Sequence, residues 1–306
     1  MQIGNFIKRI KPWMLPIAMI VGVVAHDYIG YLKFLSPYLI FIMLLITYCR
    51  ISLNDLRLNA SMGWLLGVQI VGALALYFVL RYFNVGLAQS IFICVYCPTA
   101  TAAPVVTGML GGKVERVAAF SLLSNVVVAI TGPALLAYIG GNQELTFWQS
   151  LATIAVNVLP LIIGPLIVAM ALQFTIPKAH KIISTHQGLS FYIWALALLI
   201  VVGNSVSYIM KEISEDPTCV PMIILIAVLS LAVCLLQFYF GNRIGHRYGD
   251  PISSAQSLGQ KNTVLAVWLA LTYLQPIATV GPACYIAWHN IVNSYQIYRR
   301  AHEGKL

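Results

Sequence analysis

The sequence predicts an all-α membrane protein of ten transmembrane helices, arranged as two inverted five-helix repeats. Three observations carry this. Apolar stretches of roughly 18 to 25 residues recur from end to end, the length a helix needs to cross a bilayer. Only 9% of the 306 residues are charged and 60% are hydrophobic, whereas soluble chains carry about 25% charged residues. The fourth span of each half is interrupted by residues that a regular lipid-facing helix does not tolerate.

The spans run over 12–31, 35–52, 62–82, 87–110, 114–138, 147–174, 189–210, 219–241, 251–273 and 276–298. Lys8, Arg9 and Lys11 precede the first. Its Val21–Ala25 stretch is only loosely like a cleavage site and further spans follow, so it reads as a retained span rather than a cleaved signal. Gly140-Gly141-Asn142 closes the fifth span and Glu215-Asp216-Pro217 the seventh. Pro160 and Pro165 in the sixth, and Pro282 in the tenth, read as kinks within bundle helices. Asn157 and Asn204 read as interhelical hydrogen-bonders. Trp13, Tyr28, Trp64, Tyr82, Trp148 and Tyr298 fall near span ends, where an interfacial aromatic belt is expected.

Loop charge orients the set. Ten spans place both termini on one side, with Lys8, Arg9, Lys11, Arg50, Arg57, Lys113, Arg116, Lys178, Lys181, Arg243, Arg247, Arg299, Arg300 and Lys305. The opposite side has Lys33, Arg81 and Lys211. Fourteen against three is a positive-inside bias that puts both termini in the cytoplasm; a bacterial inner membrane is the location expected. The net charge of +9 is therefore a matter of lipid topology and not of nucleic acid. Cys94 and Cys97 form a C-x-x-C inside a span, where a redox or metal role is not expected. With no zinc-type cluster and no nucleophile–base set, neither a metal, a cofactor nor a catalytic residue is assigned, and the chain does not read as an enzyme.

The fourth span contains Cys97-Pro98-Thr99-Ala100-Thr101-Ala102-Ala103-Pro104. Each proline removes a backbone donor and crowds the preceding turn. The ninth contains Ser253, Ser254, Gln256, Ser257, Gly259, Gln260, Lys261 and Asn262, too polar to face lipid. Each half has an odd number of spans, so the halves insert with opposite orientation. Paired breaks at corresponding places of inverted repeats point to the central site of a transporter. There, half-helix N-termini present N–H groups to anions.

At these residues the chain resembles the bile acid:sodium symporter family. The likeness rests on Cys97-Pro98-x-x-Thr101-Ala102 with Gly111-Gly112 after it, on Gly259-x-x-Asn262, on Trp288-His289-Asn290, and more weakly on Leu159-Pro160 with Gly164. The resemblance implies that the broken helices cross in a core domain (62–138 and 219–306, spans 3–5 and 8–10). A panel domain (1–61 and 147–210, spans 1, 2, 6 and 7) would move against it. It also implies a small organic anion as substrate. The family's sodium ligands are largely missing. Its Ser-Asn pair aligns with Ala103 and Pro104, one fifth-span hydroxyl with Val117, its ninth-span glutamate with Ser257, and its glutamine with Lys261. Ser121 keeps a second hydroxyl, and Gln69 stands in the span where the family has a sodium-contacting glutamine. Sodium needs oxygen ligands, and an ammonium supplies none. The acids Asp27, Asp55, Glu115, Glu144, Glu212, Glu215, Asp216, Asp250 and Glu303 all lie at span ends, in loops or at the terminus. The two sodium sites are therefore expected to be absent.

An ionisable residue inside a membrane is a functional hypothesis by default. Lys261 has three such readings. It substitutes permanently for sodium, bonded to unwound carbonyls, Gln260 or Gln256. It exchanges a proton in place of sodium. Or it touches an anionic substrate. A fourth, structural reading has it snorkelling to the interface. The expected pathway residues are Gln69, Thr99, Thr101, Pro104, Ser121, Gln256, Ser257, Gln260, Lys261, Asn262, His289 and Asn290. Thr107 is expected to bond its own helix, and a satisfied structural histidine is an equal reading of His289. The function expected is transport of a small organic anion across the lipid bilayer. A carrier of the same architecture with another substrate (arsenite-permease-like or auxin-efflux-like), a sodium symporter with altered ligands, and a membrane receptor are the other classes considered.

Overall fold

The computed structural model describes residues 14–49, 59–141, 145–185 and 187–302. Lys8, Arg9, Lys11, Trp13, Arg50, Asp55, Arg57, Asn142, Glu144, Glu303 and Lys305 lie outside the described residues, so part of the loop-charge pattern does too.

The chain is an all-α membrane protein. Six of the described helical stretches are long and apolar enough to span: His26–Tyr48, Ala60–Leu80, Val114–Gly140, Phe147–Thr175, Tyr192–Glu215 and Pro217–Arg247. The first two expected spans are not separated by a loop. Helix α1 (Met14–Val24) leads into α2 (His26–Ile29), a 3-10 stretch (Gly30–Leu35) and α3 (Ser36–Tyr48). Helix α4 (Ala60–Leu80) starts where the Asn59 side chain accepts from the Met62 N–H. The Asn84 side chain does the same for Leu87 at the start of α5 (Val85–Tyr96). Both relieve orphan donors of a first turn. Helix α6 (Ala103–Met109) follows the predicted break, and α7 (Val114–Gly140) runs through Pro133 to a left-handed Gly141 at φ 59°. Helix α8 (Phe147–Thr175), opened by a Thr146–Gln149 capping box, continues through both Pro160 and Pro165. A short basic helix, α9 (Pro177–Thr185), had no counterpart among the expected spans.

Helix α10 (Gln187–Glu215) packs along α1 and α3. Helix α11 (Val220–Arg247) makes the closest partnership of the fold, with α12 (Pro251–Gly259). Then come α13 (Thr263–Tyr273), a 3-10 turn and α14 (Val280–His302). The α11–α12 contact depends on Gly241 and Gly245. A Cβ on Gly241 would sit 2.5 Å from the Ser254 carbonyl oxygen, and one on Gly245 would run into the Asp250 carbonyl. Gly241-x-x-x-Gly245 is a small-xxx-small element, the spacing that lets two helix backbones touch. At this end Arg116 of α7 also pairs with the mostly buried Asp250 at 3.1 Å. The Lys113 N–H donates to Ser253 Oγ at 2.7 Å.

Candidate functional site: the crossing of two broken helices

The helices expected over 87–110 and 251–273 are broken where the sequence places the breaks. α5 stops at Tyr96 and α6 starts at Ala103; α12 stops at Gly259 and α13 starts at Thr263. The two extended segments meet each other. The Ala100 N–H donates to the Gln260 carbonyl (2.9 Å) and the Asn262 N–H to the Pro98 carbonyl (2.8 Å). These bonds make Thr99 and Lys261 an isolated antiparallel bridge of the non-hydrogen-bonded kind, in which side chains lie closest. Each break thus supplies backbone partners that the other lacks.

Side chains from three further segments hold the bridge. Gln69 of α4 donates through Nε2 to the carbonyls of Tyr96 (2.7 Å) and Cys97 (3.3 Å), the carbonyls that α5 leaves open at its end. Its Oε1 accepts from Ser124 Oγ at 3.0 Å. Ser121 Oγ donates to the Thr99 carbonyl (3.3 Å), and Thr99 Oγ1 to the Ser257 carbonyl (2.6 Å). Asn262 caps α13 by accepting from the Leu265 N–H at 3.2 Å. Gln260 Nε2 donates to Gln256 Oε1 (2.6 Å), and Gln256 Nε2 to Gln296 Oε1 (2.8 Å). Tyr285 of α14 donates to the Gly259 carbonyl at 2.8 Å.

Of the expected residues, Gln69, Thr99, Ser121, Ser257, Gln260, Lys261 and Asn262 therefore gather at the crossing, with Gln256 one hydrogen bond away. Pro104 is buried in the first turn of α6, and Thr101 is partly buried in the break. His289 is buried and meets the Tyr285 ring edge-on, with centroids 5.7 Å apart. Asn290 turns back to its own helix, donating to the Ile286 carbonyl at 2.7 Å, and Thr107 does likewise to Ala103.

Lys261 differs from expectation. Its side chain is 1% exposed, so it does not snorkel. Its Nζ has no hydrogen-bond partner among the described residues, so it is not held by Gln260, Gln256 or unwound carbonyls. The reason is visible in the bonding: the glutamines bond one another, and the Gln260 and Pro98 carbonyls are taken by backbone donors of the bridge. The thiols of Cys97 and Cys94 are its titratable neighbours. Cys97 Sγ itself donates to the Asn262 carbonyl at 3.4 Å.

Gln237, Tyr285, Asn293 and Gln296 take part in this region but were not singled out from sequence. A glutamine within the apolar stretch 219–241 was a usable signal. So was the 285, 289, 293, 296 spacing of polar residues on one helix face.

Gln69→Leu is expected to destabilise the fold by about 1–3 kcal/mol, because it leaves two carbonyls and the Ser124 hydroxyl unpaired in a dry site. Thermal unfolding in detergent measures this. An unchanged midpoint would show that Gln69 does not hold the break.

No protein-family model matches this chain, and no curated protein matches it.

Proposed function

We propose that this protein is an alternating-access transporter of a small organic anion that works without the two sodium sites of the family it resembles. The observation that carries the reading is the crossing itself. Two broken helices pair through their backbones in the interior of a membrane protein, and a lysine sits at the pairing. Broken helices at matched positions are the usual home of a carrier's substrate and ion sites.

The bonding supports the loss of sodium. Gln69 Oε1 accepts from Ser124, while the Thr99 and Ser121 hydroxyls donate to carbonyls. The carbonyls and the amide oxygen that accept these bonds are partly occupied, and Lys261 in its charged form would repel a cation. In this reading the ten spans form two inverted repeats. The core domain carries the crossing, the panel domain moves against it, and both termini are cytoplasmic in a bacterial inner membrane. A crevice lies where α3, α7, α8 and α9 meet, lined by Tyr48, Leu122, Leu166, Met170, Gln173 and His180. That is the boundary at which panel and core would part. The reading involves no catalytic step and no cofactor.

The test is uptake of a labelled organic-anion panel, bile salts and small carboxylates, into proteoliposomes, with sodium replaced by choline. Uptake that persists in choline is the expected result. A strict sodium requirement would show that altered ligands form a sodium site. Failure of every anion in the panel would move the assignment to a carrier of different substrate on the same architecture.

A further inference from the structure

Seven buried side-chain atoms lack a hydrogen-bond partner among the described residues, and four of them belong to one region: Lys261 Nζ, Gln237 Oε1, His289 Nδ1 and Asn293 Oδ1. They are connected. Gln237 Nε2 donates to Tyr285 OH at 2.9 Å, and that hydroxyl donates to the Gly259 carbonyl, two residues before Lys261. The Tyr285 ring meets His289. His289, Asn293, Gln296 and Arg300 then follow at helical spacing on one face of α14. Gln296 returns to the crossing through Gln256 and Gln260. At the far end the Arg300 guanidinium lies over Gly111, which has φ 69°. Burial falls steadily along this face. His289 is 4% exposed and Asn293 6%, while Gln296 and Arg300 are only partly buried.

An isolated buried polar atom without a partner costs about 1–3 kcal/mol. Four in one continuous region are better explained together than one at a time. Buried water binds where it finds two to four polar partners, and these side chains offer donors and acceptors at that density.

We propose that the α14 face from Tyr285 to Arg300 is a hydrated seam that binds a file of water molecules and connects Lys261 to the Arg300 end of the protein. This rests on the reading of Lys261 as the resident cation of the transport site and adds what solvates it. Water donated through the seam reaches an amine that has no hydrogen-bond partner among the described residues. Access is one-sided, because the Thr99–Lys261 bridge and the Gln69, Ser121 and Ser124 bonds close the other face of the crossing. The titratable groups around Lys261 are Cys94 and Cys97 of α5, with Tyr285 and His289 of α14 and Cys234 of α11 beyond them.

The experiment is reductive methylation of the purified full-length protein in detergent with formaldehyde and cyanoborohydride, read residue by residue by mass spectrometry. Formaldehyde is small and water-soluble, so it reports access through water. Exposed Lys178 and Lys181 of α9 serve as internal controls. In the wild type, Lys261 is expected to be methylated. Asn293→Leu, which puts an apolar branch across the seam, is expected to suppress labelling of Lys261 while Lys178 and Lys181 label as before. Asn293→Ser, polar and smaller, is expected to keep it. Labelled control lysines with an unlabelled Lys261 in the wild type would overturn the proposal, since the seam would then be dry. Equal labelling of Lys261 in the wild type and in a folded, monodisperse Asn293→Leu protein would overturn it as well, since the route would lie elsewhere. Should Asn293→Leu fail to fold, His289→Leu serves in its place. The labelling needs no substrate and no turnover. A dry seam therefore leaves the transport reading standing, and a sodium requirement in uptake leaves the seam standing.

Discussion

Lys261→Met is expected to make the protein more resistant to heat and to reduce transport to background. The two effects have one cause. Nζ is buried without a partner, and removing an unpaired polar group from such a site stabilises by about 1–3 kcal/mol. Methionine has nearly the same length and fills the same space with flexible apolar atoms, so little packing is lost. A residue kept against that gradient is the pattern of a functional site maintained at the expense of stability. Lys261→Arg separates charge from fit. It keeps a basic group but replaces the slender amine with a larger planar one, so it is expected to lose transport and stability together. Thermal unfolding in detergent and uptake into proteoliposomes are the two measurements. Normal uptake by Lys261→Met would remove Lys261 from the mechanism, whatever its effect on stability.

Gly241→Ala carries the second large effect, in the opposite direction. The new methyl would sit 2.5 Å from the Ser254 carbonyl oxygen and 2.8 Å from the Ala255 Cα, both backbone atoms that cannot rotate away. Overpacking of this kind costs about 1–3 kcal/mol and more when backbone must shift. Here the shift would push α12 off α11 and carry Gln256, Gly259 and the bridge with it. Loss of monodisperse protein and of the folded midpoint is expected, and Gly245→Ala should behave alike because its Cβ would meet Asp250 and Pro251. Gly67→Ala is the control. Nothing lies within 4 Å of a Cβ there, so it is expected to be neutral or to stabilise by up to ~1 kcal/mol through helix propensity. Equal behaviour of Gly241→Ala and Gly67→Ala on size-exclusion and in melting would show that α11 and α12 do not touch as described.

Fold class was legible because the bilayer imposes a length and a polarity that any span must meet. The join at Gly140-Gly141 was legible, and Gly141 takes the left-handed conformation; the capping roles of Asn59, Asn84 and Asn262 emerge from the structure. The breaks at Cys97–Ala102 and Gln260–Asn262 were equally legible, since proline and clustered polar residues do not continue a lipid-facing helix. Proximity across the chain was not. Nothing local says that Ala100 bonds Gln260, that Gln69 ends α5, or that Gly241 touches Ser254.

The sequence by itself determined an apolar helical membrane chain interrupted at two places, with a lysine in the second interruption. Tertiary structure alone decided what that lysine meets. Whether a buried ammonium is paired depends on which neighbours are already bonded to one another. In this fold the glutamines, hydroxyls and carbonyls around Lys261 satisfy each other and leave its Nζ without a hydrogen-bond partner among the described residues.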